Sequence, residues 1–133
     1  AGSNVFEVVL PPNKSDNIGE QLKALSSIKN NIVWLTLENV GLQNADLEII
    51  GMFEQLQILK LAKNKIDNVS AFANLDKLES INLYQTNIDK NSIEQLSQLP
   101  KLQRIYIWQT KISNTEINDL QEEFPKVELI GRM

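Results

Sequence analysis

Ile81–Thr86 reads INLYQT and Ile105–Thr110 reads IYIWQT. These two copies of one phrase hold three of the four Tyr and Trp residues of a 133-residue chain. Tyr84, Tyr106 and Trp108 offer large amphipathic rings that stack on flat or apolar groups. Arg104 adds a guanidinium beside them, and Trp, Tyr and Arg are the types enriched at binding hot spots. Trp34, at the far end of the repeats, and Lys60 are secondary candidates. Material for bond-making chemistry is scarce. The chain has no His and no Cys. That removes imidazole bases, thiolate nucleophiles, disulfides, covalent haem attachment and the usual zinc ligands. Glu7, Asp46, Glu48, Glu122 and Glu123 read as solvated faces, and no two are fixed as a facing acid and base. Asp67 and Asp89 each follow an apolar repeat position and read as helix or turn caps rather than metal ligands. The glycines form no phosphate loop. The expectation is a chain with no catalytic residues, no cofactor and no metal.

The rings need elements to present them, and the sequence repeats. The pattern L-x-x-L-x-L-x-x-N/T-x-L, with Ile allowed for Leu, fits Ile32–Leu42, Leu56–Ile66, Leu78–Ile88 and Leu102–Ile112. A truncated fifth copy starts at Val127. Successive starts are 22 to 25 residues apart, within the period of leucine-rich repeats. The fourth and sixth positions, such as Leu35/Leu37 and Ile105/Ile107, point to one face of a strand. Positions three, five and seven point to the other: Trp34/Thr36/Glu38, Ile58/Lys60/Ala62, Ser80/Asn82/Tyr84 and Arg104/Tyr106/Trp108. All four Trp and Tyr residues fall on this second face and no Phe does. Strands separated by crossovers stack in parallel, each burying its apolar side against the next.

The fold class expected is α/β: a leucine-rich-repeat solenoid, a short horseshoe. Its parallel sheet lines the concave face and short helices line the convex one. Phe53, Leu75, Leu99 and Phe124 stand three residues before successive repeat starts and are expected to close the convex core. Ser92–Leu99 and Thr115–Phe124 read as helices, and Asp67–Leu75 as little more than a turn. Residues 1–30 read as an N-terminal strand followed by a capping helix. Val5–Leu10 form the strand, and Ile18, Leu22, Leu25 and Ile28 follow helical spacing after a Ser15/Asp16 start signal. Residues 31–133 hold about four and a half repeats and a closing strand. The ninth repeat position reads Val40, Asn64, Thr86 and Thr110. A short polar side chain there satisfies the turn backbone. Val40 lacks one, so the first repeat is expected to be irregular.

Charge and hydropathy narrow the partners. The net charge is −4 and the pI about 4.8, which argues against nucleic acid or an anionic membrane surface. No apolar run approaches the roughly 20 residues that span a bilayer, and no leader pattern is visible. Asn13-Lys14-Ser15 and Asn68-Val69-Ser70 match the glycosylation acceptor pattern, which matters only in a eukaryotic secretory protein.

IVWLTLENVGL, NLYQTNI, IYIWQTKI and the ending LQEEFPKVELIG carry a resemblance. From Asn31 onward the chain resembles the C-terminal leucine-rich-repeat segment of certain bacterial membrane-associated proteins. Those proteins carry a planctomycete-type c-type cytochrome domain. The resemblance implies an extracytoplasmic location, periplasmic or at the cell surface, and names no ligand. Members of that group favour Thr at the ninth position, where this chain has Val40 and Asn64. Haem chemistry stays with the missing domain.

The expected role is a non-catalytic interaction module. It binds a protein, or alternatively a glycan, through Tyr84, Arg104, Tyr106 and Trp108, with Trp34 and Lys60 as further contacts. The competing account is structural: aromatics suit strands, and cross-strand pairs stabilise sheets. A self-association role, as a weak homodimer through the terminal strand edge or the aromatic face, is the other alternative. Gln85 and Gln109 read either as a ladder or turn contact, or as polar ligands to a partner.

Overall fold

Period-two alternation in short segments makes strands, and here each strand is followed by a crossover. A computed structural model describes residues 5–12 and 17–131. The Ser15/Asp16 start signal and the Asn13 acceptor pattern lie outside the described residues. The strands are β1 (Phe6–Val9), β2 (Ile32–Thr36), β3 (Ile58–Lys60), β4 (Ser80–Asn82), β5 (Arg104–Tyr106) and β6 (Glu128–Ile130). They form one sheet in chain order, parallel throughout. The crossovers hold α1 (Ile18–Leu25), α2 (Asn44–Ile50), α3 (Lys90–Leu96) and α4 (Asn114–Glu123), with 3-10 segments at Ser26–Asn31 and Ser70–Phe72. The last is the single turn expected for the shortest repeat.

Register is set by the buried face. Leu35, Leu59, Ile81, Ile105 and Leu129 form one row, and all are buried. The ladder continues past the strands. The Leu37, Leu61, Leu83 and Ile107 N–H groups donate to Lys60, Asn82, Tyr106 and Ile130 carbonyls at 2.8–2.9 Å. Phe53 and Phe72 are the largest wholly buried side chains and fill the convex side with Leu75 and Leu99. Phe124, which leads into β6, the last strand of the described residues, is only half-buried against that core.

The turn after each strand repeats one conformation. Asn39, Lys63, Gln85 and Gln109, all at the eighth position, have left-handed φ of 53°, 63°, 56° and 58°. That conformation costs roughly 1–2 kcal/mol for a residue with a Cβ. The ninth residue helps to hold it. The Thr86 and Thr110 hydroxyls donate to the Leu83 and Ile107 carbonyls at 2.8 and 2.7 Å. Asn64 does more: its Nδ2 donates to the carbonyls of Leu37, Leu61 and Ala62 at 2.7, 2.9 and 3.2 Å. Its Oδ1 accepts from the Val40 and Leu42 N–H groups at 3.2 and 3.1 Å.

This changes the expectation for the first repeat. Val40 has no polar atom to offer, yet the turn there is regular at Asn39 because Asn64 of the next repeat supplies the bonds. The irregularity is confined to Gly41, whose φ of 76° has no counterpart in the other three copies.

The helices are capped locally. Ser113 and Glu116 form a reciprocal box at α4, with N···O distances of 3.0 and 3.1 Å. Such a cap contributes about 1 kcal/mol. Asp89 accepts from the Asn91 N–H and caps α3, as expected. Asp67 instead accepts from Asn44 Nδ2 at 2.7 Å and ties its turn to the start of α2. The N-terminal helix is shorter than its spacing suggested. α1 ends at Leu25, the following turn is 3-10, and Ile28 is 37% exposed rather than in the core. Ser26 and Ser27 hydroxyls bond back to the Lys23 and Ala24 carbonyls, which competes with continuation of the helix. At the far end Gln121 clamps β6. Its Nε2 donates to the Val127 carbonyl at 2.7 Å and its Oε1 accepts from the Leu129 N–H at 2.9 Å. Among the described residues no helix is long and apolar enough to cross a membrane.

Candidate functional site: the aromatic row of the concave face

The in-register ladder turns repeat positions into rows across the concave face. The third-position row runs Glu7, Trp34, Ile58, Ser80, Arg104, Glu128. The fifth runs Val9, Thr36, Lys60, Asn82, Tyr106, Ile130. Adjacent rungs lie about 4.8 Å apart, close enough for rings to stack between repeats.

They do stack. Tyr84 and Trp108 have ring centroids 4.6 Å apart at 30°, and Tyr106 meets the Trp108 ring edge-on at 5.9 Å and 76°. These three expected site residues therefore form one continuous half-buried surface. Arg104 opens β5 and is four residues from Trp108, which lies past the end of that strand, roughly 13 Å along an extended chain. Its Nε lies 3.6 Å from Glu128 Oε1, with both side chains mostly exposed. A pair in that setting is worth little, since water screens it. Trp34 and Lys60 form a separate pair, with the ammonium 5.1 Å from the ring centroid.

The rings carry polar atoms the fold does not use. The indole Nε1 atoms of Trp34 and Trp108 are buried without a hydrogen-bond partner. Among the described residues neither Tyr84 nor Tyr106 makes a hydrogen bond through its hydroxyl. A Phe would cover the same sheet without leaving a donor unpaired, a state costing about 1–3 kcal/mol when buried. The chain places Phe53 and Phe72 in the core and none at these four positions.

The sequence pattern did not indicate Lys63. It occupies the left-handed turn position, and its Nζ sits 5.9 Å from the Tyr84 ring centroid. The available signal was its position one step past the seventh-position row. Gln85 and Gln109 occupy the same left-handed turn position, and both are exposed. The geometry offers a ring platform with cations at its margins.

Solved structures show the same architecture. The internalin inlF of Listeria monocytogenes superposes with a TM-score of 0.66 at 18% identity, covering 82% of this chain and 31% of that one. Internalin C2 of the same organism gives 0.57 at 23%, covering 72% and 41%. The fold is a leucine-rich-repeat solenoid. At such identities the likeness carries the fold alone, and this chain spans well under half of either internalin. No family model matches the sequence, and no curated protein matches it at a significant level. Within the solenoid, Tyr84, Tyr106 and Trp108 occupy the concave sheet, the side that repeat proteins expose as an extended binding surface.

Proposed function

We propose that the chain is a non-catalytic interaction module that takes a protein partner on its concave face. Tyr84, Tyr106 and Trp108 form the anchor, Arg104 lies on its flank, and Trp34 with Lys60 form a second contact. The observation that carries this is the unused polar chemistry: every Trp and Tyr is on this face, and none hydrogen-bonds through its side chain within the described residues. An extracytoplasmic site of action belongs to the same proposal and rests on the sequence resemblance. The second reading makes the chain a structural or self-associating part of a larger membrane-associated, cytochrome-linked bacterial protein. IYIWQTKI and the LQEEFPKVELIG ending favour it.

The Tyr106→Ala/Trp108→Ala variant separates these. Light scattering over a wide concentration range, with circular dichroism alongside, is the first measurement. Wild type is expected to stay monomeric and the variant to keep its far-UV spectrum. Immobilised variant is then expected to hold its partner at least about thirty-fold more weakly, the loss typical of truncated hot spots. A variant that unfolds would make the rings structural. A wild-type dimer that the variant breaks would give the face to a second copy of the chain.

A further inference from the structure

The turns that close the C-terminal ends of β2 to β5 form a rim above the aromatic row. They are residues 39–41, 63–65, 85–87 and 109–111. The rim holds Lys63, Lys65 and Lys111 but none of the chain's seventeen Asp and Glu residues. All three lysines are exposed, and the one ion pair among the described residues is Arg104–Glu128. The nearest carboxylates along the chain are Glu38, directly before the first of these turns, and Asp67 and Asp89, which accept from neutral donors: Asn44 Nδ2 and the Asn91 N–H. Behind the rim lies an open groove of about 970 Å³, lined among others by Asn39, Asn44, Lys63, Lys65, Gln85 and Asn87 and by no carboxylate. Lys63 joins groove to platform, since it also lies over the Tyr84 ring. A chain with net charge −4 thus concentrates unpaired positive charge beside its half-buried rings.

We propose that the partner engages this protein through an acidic peptide segment. The segment lies along the rim over the second to fourth repeats and lets one apolar or aromatic side chain down onto Tyr84 and Trp108. This rests on the concave-face proposal and specifies its partner. Charge complementarity selects the occupant. Lys65 and Lys111 are two repeats apart, about 10 Å across the sheet, which three residues of chain in the polyproline II conformation, at about 3.1 Å each, span with the first and fourth side chains on one face. Carboxylates three residues apart on such a segment meet both lysines. A long polyanion fits less well, because its fixed charge continues onto an otherwise acidic surface bearing Glu38, Glu48 and Glu116. Amide side chains in the groove, Gln85 and Asn87 among them, suit the carbonyls and N–H groups of a peptide backbone.

The probe is a fluorescein-labelled peptide of about ten residues with Glu at every third position, the spacing set by the three-residue turn of polyproline II, and one central Phe. Its Gln-for-Glu analogue and a polyuronate oligosaccharide of equal charge are run beside it. The decisive variant is Lys63→Gln/Lys65→Asn/Lys111→Asn. Gln85 and Gln109 already occupy the position of Lys63, and Asn87 that of Lys65 and Lys111, so the fold tolerates these types there. Fluorescence anisotropy is expected to show wild type binding the Glu peptide, with affinity falling as salt rises. The lysine variant is expected to bind about tenfold more weakly, as three exposed charge contacts allow, and the Gln analogue not to bind. Three results would overturn the proposal: no binding by wild type, equal binding by the lysine variant, or tighter retention of the polyuronate. Tyr106→Ala/Trp108→Ala in the same titration keeps the two proposals apart. If it loses the peptide while the lysine variant keeps it, the rim assignment fails alone. If the lysine variant loses the peptide and the aromatic variant keeps it, the rim stands and the concave-face anchor falls.

Discussion

Asn64→Asp will lower the melting temperature of this protein by roughly 10–20 °C, corresponding to about 3–4 kcal/mol. Asn64 is 3% exposed and makes five hydrogen bonds, three as donor and two as acceptor, across the first two repeats. The aspartate has nearly the same shape. It keeps the oxygen that serves Val40 and Leu42 but turns a second anionic oxygen toward the carbonyls of Leu37, Leu61 and Ala62. Three acceptors then face an acceptor in a buried site, and the carboxylate is poorly solvated. Asn64→Ala removes all five bonds without adding repulsion and is expected to fall between the two. Thermal denaturation followed at far-UV wavelengths checks both. A shift below about 3 °C for the aspartate variant would mean the turn backbone finds other partners.

Gly51→Ala is expected to destabilise by about 2–3 kcal/mol, although Gly→Ala near a helix end ordinarily stabilises. Gly51 has φ −63° and ψ −14°, which any residue adopts, so no dihedral penalty is involved. The obstacle is steric. A Cβ there would stand 2.1 Å from the Ala71 carbonyl oxygen and 3.1 Å from its carbon. Those are backbone atoms of the 3-10 turn Ser70–Phe72, and moving them displaces the buried Phe72. Gly19→Ala is the control. Its Cβ would meet Asp46 Oδ1 at 3.2 Å, a side-chain oxygen other than the Oδ2 that accepts from the Gln43 N–H. Urea unfolding should place the midpoints of the two variants on opposite sides of wild type, or leave Gly19→Ala unchanged. A neutral Gly51→Ala would show that α2 and the 3-10 turn slide apart without consequence.

Much of this architecture is written in the period of the sequence. Leu35 through Leu129 recur at repeat spacing and alternate with polar residues, and that alone sets strands, register and faces. The aromatic row followed from it, because Tyr84 and Trp108 share the seventh position. What escaped was whatever depends on one repeat acting on another. Val40 looked like a defect because the side chain that repairs it is Asn64, in the next repeat. The left-handed turn position carries Asn, Lys, Gln and Gln, and of these only Asn ordinarily marks such a backbone. Ile28 fits helical spacing, but serine hydroxyls at the helix end override it. Arg104 shares a repeat with Trp108, yet the pairing with Glu128 came from a third-position neighbour on β6. The rim lysines fall at scattered numbers that only the stacked turns bring to one edge.

Because each rung carries one residue per repeat, the Tyr84–Trp108 stack belongs to no single repeat. It exists where two particular copies happen to be neighbours. Genes built of tandem copies lengthen and shorten by whole units. Slipping one unit between the third and fourth copies would leave every buried row intact while moving the two rings about 10 Å apart. Tryptophan emission would report that separation. Recognition in such a protein can thus be gained or lost by recombination without any point mutation, and its ancestry is better traced through the order of its copies than through the identity of its residues.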